Sequence, residues 1–390
     1  MRTRIIIEMN TEKQIIHNRM SKILKVGIIG YGVVGKRRRL FIDKHPNMQT
    51  VAVCDVRFKS DESMVNSNTA SKDYRNIEKS ARSKPFVGML SDGIYFYNNY
   101  EVLLKEQELD VLFVCVPNYL APDLTIMGLK SGLHVFCEKP PGRTVEDIER
   151  VKEEENKHPE LKLKYGFNHR YHSSVKNAKE IIDKREFGEL INLIGVYGKS
   201  SVVPFSGEWR SVRKYSGGGI LLDQGIHMLD MFQYFCGEFD EVKSFISNDF
   251  WGHDVEDNAY AILRDKTGHI AMIHSSATQW QHSFRLELTF QQGYLELSGI
   301  LSGSKSYGQE KLITIKRDEK SVVGSQTISE TIYLNDTSWE DEIENFADVI
   351  LNDKKVSVGN SNDALSVMKL VYKIYGADKK WDNKFKIKAT

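Results

Sequence analysis

Residues 22–36, KILKVGIIGYGVVGK, decide the fold of this 390-residue chain. The apolar run from Ile23 to Ile29 predicts a buried strand, and Gly30-Tyr31-Gly32-Val33-Val34-Gly35 fits the pattern G-x-G-x-x-G. In that pattern the first glycine makes a tight turn, the second lets the backbone approach a pyrophosphate, and the third lets a helix pack on the strand. The stretch therefore predicts a strand, a phosphate-binding loop and a helix whose first N–H groups face the phosphates.

A carboxylate follows this loop at the expected distance. The next strand pattern, TVAVCD, ends on Asp55, roughly 20 residues after the loop. A carboxylate there accepts hydrogen bonds from the ribose hydroxyls of NAD, whereas Arg57 is suited to the 2′-phosphate of NADP. NAD is the predicted cofactor, and NADP stays open.

Strand and helix patterns alternate from the loop to residue 167. Short apolar runs at 111–117 and 134–137 are separated by helical stretches such as 144–157. Such alternation predicts a parallel sheet with helices on both faces. The fold class is therefore α/β, with an N-terminal Rossmann dinucleotide-binding domain over residues 23–167.

The pattern changes after residue 168. Hairpin-like strands turn at Lys266-Thr267-Gly268 and at Gln292-Gly293, and amphipathic helices follow at 338–352 and 362–376. Residues 168–390 are predicted to form a C-terminal α+β domain with an open, largely antiparallel sheet. Its last helices are candidates to pack back on the Rossmann domain.

Two stretches fit neither domain pattern. Residues 1–22 are predicted to be an N-terminal extension, either a loose segment or one that precedes a native start at Met20. The polar interval 57–98 predicts a long surface excursion that contains a helix.

Composition limits the classes of partner. Lys+Arg 54 against Asp+Glu 53 gives a formal charge of +1, so no basic field predicts nucleic acid or a membrane surface. No apolar run approaches the roughly 18–20 residues of a membrane span. Four cysteines without a C-x-x-C pair indicate reduced thiols in a cytoplasmic protein, with no zinc site. The basic run Lys36–Arg39 is interpreted as a solvated helix face.

The segment 217–230, GGGILLDQGIHMLD, carries the strongest acid–base pattern. Asp223 and His227 are spaced i, i+4, which places them on one helical face, and Asp230 lies near that face. A carboxylate beside an imidazole suits a general base, although a simple surface pair explains the spacing equally well. His169 and His172 lack a nearby third ligand, so they are interpreted as surface residues, and no metal is predicted.

The segment 135–142, VFCEKPPG, ends an apolar strand on Glu138 and Lys139 before two prolines. The two charges either form a solvent-exposed turn or are delivered to the mouth of a site.

Taken together, G-x-G-x-x-G, E-K-P and the G-G-G…D-x-G-x-H-x-x-D segment resemble the glucose–fructose oxidoreductase/inositol dehydrogenase (Gfo/Idh/MocA) family, from about Ile23 onward. The resemblance implies that Lys139 contacts the reacting hydroxyl, that His227 is the base and that Asp223 is its partner. It also implies a cis Lys139–Pro140 bond. The implied cofactor-binding residues are Gly30, Tyr31, Gly32, Val33, Val34, Gly35, Asp55, Arg57, Pro117, Asn118, Glu138 and Lys139. The chain departs from the family pattern at Val116 and Ala121, which replace the usual threonine and histidine.

Segments 167–174 and 205–219 resemble family members that act on sugar nucleotides. The implied substrate-binding residues are Asn168, Arg170, Trp209 and Arg210. The expected function is hydride transfer between nicotinamide and a secondary hydroxyl of a nucleotide-linked sugar, C3 being one candidate position, in surface polysaccharide biosynthesis. A homo-oligomer, dimer or tetramer, is expected from the family's open sheet.

Other functions stay open at this point. One alternative is a free sugar, inositol or polyol dehydrogenase, and another is an NAD-retaining glycoside hydrolase. A regulator without turnover is disfavoured because Lys139, Asp223 and His227 are all present. The reaction direction is not given by the sequence.

Overall fold

The computed structural model describes residues 2–8, 22–58, 85–203, 205, 209–302, 306–317 and 325–387. The strands are β1 (Arg2–Glu8), β2 (Leu24–Ile29), β3 (Met48–Cys54), β4 (Val87–Met89), β5 (Tyr95–Tyr97), β6 (Val111–Val114), β7 (His134–Cys137), β8 (Leu163–Tyr165), β9 (Leu190–Ser200), β10 (Phe239–Ser247), β11 (Asn258–Asp265), β12 (Ile270–Gln279), β13 (Ser283–Phe290), β14 (Gly293–Ser298), β15 (Glu310–Arg317) and β16 (Gln326–Tyr333). The α-helices are α1 (Val33–Ile42), α2 (Tyr100–Glu106), α3 (Ala121–Lys130), α4 (Val145–Glu155), α5 (Ser173–Asp183), α6 (Arg213–Ser216), α7 (Ile226–Cys236), α8 (Ser338–Leu351), α9 (Ser361–Ala377) and α10 (Lys379–Phe385).

The first sheet has the order β4-β5-β3-β2-β6-β7-β8, and every pair except β4–β5 is parallel. Its central strands are covered on both faces, so β6 is buried at all four positions. The chain runs from β2 to β3 on one side and later to β6 on the other. The strand order therefore reverses beside β2, where a crevice opens at the carboxyl ends of the strands.

The second sheet has nine strands in the order β1-β16-β15-β14-β13-β9-β12-β11-β10. Most neighbours are antiparallel, and the two predicted hairpins are β11–β12 and β13–β14. Buried and exposed residues alternate along β11, as expected for a sheet with one face packed on a core. These two sheets confirm the predicted fold class.

The two stretches outside the domain patterns both contribute edge strands. Arg2–Glu8 pairs in parallel with β16, so this part of the extension is a strand rather than a loose segment. In the polar interval, β4 and β5 extend the edge of the first sheet beside β3. The predicted helix of that interval lies outside the described residues, as does Met20.

Two helices near the end of the chain join the domains. Phe346 of α8 packs against Phe113 and Phe136 of the first sheet, with ring centroids 6.2 and 5.6 Å apart. Helix α9 contacts both α4 of the first domain and α7 of the second. One apolar cluster therefore runs from the first domain through α9 to the second, and a separate cluster joins α8 to the first sheet.

Among the described residues, no helix has the length and apolar character needed to cross a bilayer. The four cysteines are free thiols, and Cys54 and Cys137 are fully buried.

Candidate active site

The crevice at the strand ends opens into a cavity of about 620 Å³ lined by both domains. Sixteen of the eighteen residues predicted for the site line it, namely Gly30, Tyr31, Gly32, Val33, Val34, Asp55, Arg57, Pro117, Asn118, Glu138, Lys139, Asn168, Trp209, Arg210, Asp223 and His227. The two others, Gly35 and Arg170, have packing roles described below.

The glycine loop has the geometry that a pyrophosphate needs. Gly30 has φ +92, and a Cβ there would lie 2.2 Å from the carbonyl oxygen of Cys115. A Cβ on Gly35 would lie 2.1 Å from the carbonyl oxygen of Gly30, so this glycine lets α1 pack on the loop. A Cβ on Gly32 would meet only the Arg57 guanidinium, at 3.6 Å. The loop is therefore open to a ligand at Gly32, and no side chain caps the start of α1.

Asp55 lies beside this loop, where a ribose carboxylate is expected. Its Oδ2 accepts the backbone N–H of Tyr31 at 3.0 Å and Nη2 of Arg57 at 2.6 Å. Its Oδ1 accepts the backbone N–H of Arg57 at 3.0 Å and Nε of Arg57 at 2.7 Å. These four bonds occupy all the lone-pair positions of a carboxylate, so Asp55 is neutralised by Arg57.

Asn118 ties the first domain to the second at the cavity wall. Its Nδ2 donates to the carbonyl oxygen of Ser216 at 2.7 Å, just before the three-glycine segment. Ala121 begins α3 and is buried, so the position where the family has histidine is part of the helix packing here.

Glu138 is held by a buried arginine, which corrects the interpretation of the basic run as a solvated face. Arg38 is fully buried and donates through Nε to Glu138, while its Nη1 lies 2.7 Å from Glu342 of α8. Its guanidinium lies between the rings of Phe136 and Trp339, at 4.4 and 4.2 Å. Arg38 projects inward from α1 because burying it with two carboxylates and two aromatic faces satisfies its charge.

A second buried cation lies next to this cluster. Lys164 donates to Tyr171, Asn345 and the carbonyl oxygen of Val358 at 2.7–2.9 Å. Burial lowers the pKa of Lys164 to about 8, against the opposing attraction of Glu342.

Lys139 follows Glu138 into the cavity, and the Lys139–Pro140 bond is cis, as the resemblance implied. Its Nζ donates to the carbonyl oxygen of Asp223 at 2.7 Å and lies 3.8 Å from the Asp223 carboxylate. Burial lowers the pKa of Lys139, Asp223 and Glu138 oppose that effect, and Arg210 adds to it. The first domain therefore delivers a partly desolvated ammonium group to the second.

Asp223 does not pair with His227, contrary to the prediction from their spacing. Leu221–Gly225 forms a turn of π-helix, which replaces the α-helical register on which the prediction rested. Burial raises the pKa of Asp223, but the charges of Lys139, Arg210 and Lys199 outweigh it and lower the pKa. The Asp223 carboxylate therefore interacts with nearby cations, Lys139 and Arg210 among them.

His227 lines this cavity beside a second histidine. Its ring stacks on His169 with centroids 3.7 Å apart, and its Nδ1 is buried without a hydrogen-bond partner. Burial and the nearby His169, Lys139 and His172 lower the pKa of His227 well below its usual value. The lowered pKa favours the neutral form of the ring, in which one ring nitrogen is a hydrogen-bond acceptor.

His169 and His172 are buried rather than on the surface, which corrects the sequence interpretation. Both line the cavity and are 7% and 2% exposed. No group of three histidine, cysteine or acidic side chains suited to a metal ion occurs within the described part of the chain.

The four predicted substrate residues divide into two groups. Asn168, Trp209 and Arg210 line the cavity, and Arg210 lies over the Trp209 ring at 4.4 Å and 3.8 Å from Asp223. Arg170 is instead buried against Asp230 through bonds of 2.8 and 2.6 Å, and it also contacts Asp363. Arg170 therefore links the turn at Asn168–Tyr171 to α7 and α9 within the second domain, and it does not line the cavity.

Comparison with known proteins agrees with this geometry. Residues 24–167 match the oxidoreductase family with an NAD-binding Rossmann fold, and residues 175–296 match the GFO/IDH/MocA C-terminal domain. D-glucoside 3-dehydrogenase of Escherichia coli K12 is 29% identical over 59% of this chain and 58% of its own length. Inositol 2-dehydrogenase of Salmonella typhimurium LT2 is 24% identical over 72% of this chain and 76% of its own length.

A solved structure shares the fold over nearly the whole chain. The WlbA dehydrogenase of Bordetella pertussis, in complex with NADH and UDP-GlcNAcA, has a TM-score of 0.67 at 16% identity. The match covers 91% of this chain and 96% of WlbA. Because the two domain models together cover more than half of the chain, the protein belongs to the Gfo/Idh/MocA family of oxidoreductases, with an NAD-binding Rossmann fold.

Proposed function

We propose that this protein is an NAD(P)-dependent dehydrogenase that acts on a secondary hydroxyl of a sugar or cyclic polyol. One observation carries the proposal: Lys139 from the first domain and His227 from the second line the same cavity as the glycine loop. The glycine loop would hold the pyrophosphate of a dinucleotide, and the nicotinamide would supply the hydride acceptor or donor.

The side chains of the cavity suit the proton half of such a reaction. The Lys139 ammonium, held by Asp223, donates a hydrogen bond to the oxygen on which charge develops. The neutral His227 ring accepts the hydroxyl proton and returns it in the reverse direction. Asp223 balances the cations and keeps Lys139 aimed at the cavity.

Our first proposal for the substrate is a sugar without an attached nucleotide, a glycoside or a cyclic polyol. The two relatives named above are dehydrogenases of a glucoside and of inositol. A nucleotide-linked sugar, with C3 as a candidate position, is the second proposal. Arg210 in the cavity favours it, because an arginine suits a diphosphate. Arg170, the other arginine expected to bind a diphosphate, is buried against Asp230 and therefore does not support this substrate.

A substrate panel tests the proposal. The panel comprises D-glucose, methyl β-D-glucoside, myo-inositol and UDP-glucose, each with NAD and with NADP, and the readout is absorbance at 340 nm. Turnover of any panel compound supports the dehydrogenase, and the preferred compound separates the two substrate proposals. Release of free glucose from the glucoside without net reduced cofactor would instead indicate a glycoside hydrolase, and no reaction of any kind would refute the proposal.

Arg57 makes the cofactor preference testable. Because all four acceptor positions of Asp55 are occupied, NAD must displace Arg57, whereas a 2′-phosphate can bind its guanidinium directly. We expect NADP to be accepted, and Arg57→Ala to lower kcat/KM for NADP by about 10- to 100-fold without lowering that for NAD. Steady-state kinetics with both cofactors measures this, with Lys44→Ala in the exposed turn that follows α1 as control. Equal losses for both cofactors would contradict it.

A further inference from the structure

An imidazole–carboxylate pair, separate from Lys139 and His227, lies at the cavity wall. His172 precedes α5 and lines the cavity. Its Nδ1 lies 2.8 Å from Oε2 of Glu310, and the Asp336 carboxylate is 4.0 Å away. The chain therefore brings a buried acid from β15 to a histidine that no short sequence pattern links to it.

Glu310 fixes the orientation of this ring. It is 1% exposed, and its Oε1 accepts the backbone N–H of Ser174 at 2.8 Å. Burial raises the pKa of Glu310, but the hydrogen bonds from His172 and Ser174 outweigh it and lower the pKa. An ionised Glu310 keeps the proton of His172 on Nδ1, which leaves Nε2 as the acceptor.

The neighbouring histidines have different surroundings. His169 contacts Asn168 Oδ1 and the Tyr197 hydroxyl, each at 3.2 Å, so both of its ring nitrogens are engaged. His227 has no carboxylate bonded to its Nδ1. Of the three histidines that line the cavity in the described chain, His172 alone has its ring oriented by a carboxylate.

We propose that His172, oriented by Glu310, binds a second hydroxyl of the substrate, beside the one on the reacting carbon. This inference rests on the proposed function. Because Glu310 engages Nδ1, the Nε2 atom of the ring is left to form the hydrogen bond with that hydroxyl. The site then selects rings whose hydroxyls have a fixed mutual geometry, so sugars and cyclic polyols are favoured over simple alcohols.

Deoxy analogues test the proposed contact. The probe is the panel compound with the highest kcat/KM, assayed beside its monodeoxy analogues. We expect His172→Ala to lower kcat/KM for the full compound by about 10- to 100-fold, chiefly through KM. For the one analogue that lacks the contacted hydroxyl, the kcat/KM values of wild type and His172→Ala should agree within about twofold. Glu310→Gln should give a smaller loss with the same dependence on the analogue.

Two controls separate recognition from folding. His158→Ala removes an imidazole paired with Glu154 on α4, away from the cavity, and should leave kinetics unchanged. Dinucleotide Kd, measured by fluorescence, should stay within about twofold in His172→Ala. Equal losses on every deoxy analogue, or no loss at all, would overturn the inference and indicate that His172 only joins α5 to β15. Absence of wild-type turnover on the whole panel would instead refute the proposed function.

Discussion

Lys139→Met should lower kcat by about 10²- to 10⁴-fold while dinucleotide Kd stays within about twofold. The ammonium group is the cation that the first domain delivers to the cavity, and a methionine of similar length cannot donate to a developing alkoxide. Stopped-flow or steady-state assays with the best panel compound measure kcat, and fluorescence titration measures dinucleotide affinity.

The matched control for this variant is Lys157→Met. Lys157 forms a surface ion pair with Glu154 at 2.8 Å, so the same substitution there should leave kcat unchanged. The double variant Lys139→Met/His227→Asn should have a kcat only slightly lower than that of the more severe single variant. The effects of substituting residues that act as one unit are not additive. A Lys139→Met enzyme with nearly full kcat would show that Lys139 merely holds Asp223.

Arg38→Met should lower the free energy of unfolding by about 3–5 kcal/mol. The substitution leaves Glu138 and Glu342 buried without their shared cation, and desolvated carboxylates are costly. Burial already raises the pKa of Glu342, while Arg38 and Lys164 oppose that rise. Urea denaturation followed by circular dichroism measures the change.

Two further variants show whether charge is the cause. Arg38→Met/Glu342→Met removes one of the two unpaired acids and should recover part of the lost stability. Arg37→Met changes the neighbouring arginine, which lies 5.1 Å from the Trp339 ring, and should cost less than about 1 kcal/mol. Equal destabilisation by Arg37→Met and Arg38→Met would mean that the buried ion cluster contributes little.

The sequence predicted those features whose residues lie close together along the chain. The glycine loop, Asp55 and the Glu138-Lys139 pair each follow a strand directly, and strand ends in a parallel sheet meet at one edge. The alternation of apolar runs and helical stretches predicted the α/β class for the same reason, since it depends on local periodicity.

Features that depend on distant partners could not be predicted. Arg38 lies in a basic run typical of a solvated helix, and only its partner Glu138, 100 residues later, shows that it is buried. His172 and Glu310 are separated by 138 residues, so their pairing has no local pattern. The surroundings of the Asp223 carboxylate could not be predicted from its spacing to His227, because Leu221–Gly225 is a π-helical turn and the nearby cations come from different segments.

The packing of Phe346 of α8 on the first sheet affects how the chain folds during its synthesis. Ile343, Phe346 and Ala347 complete the apolar cluster formed by β2, β6 and β7, yet a ribosome adds them roughly two hundred to three hundred residues after those strands. The nascent Rossmann unit therefore emerges with one hydrophobic surface uncovered, and that surface stays uncovered until α8 has been synthesised. We expect this interval to be when a chaperone engages the growing polypeptide.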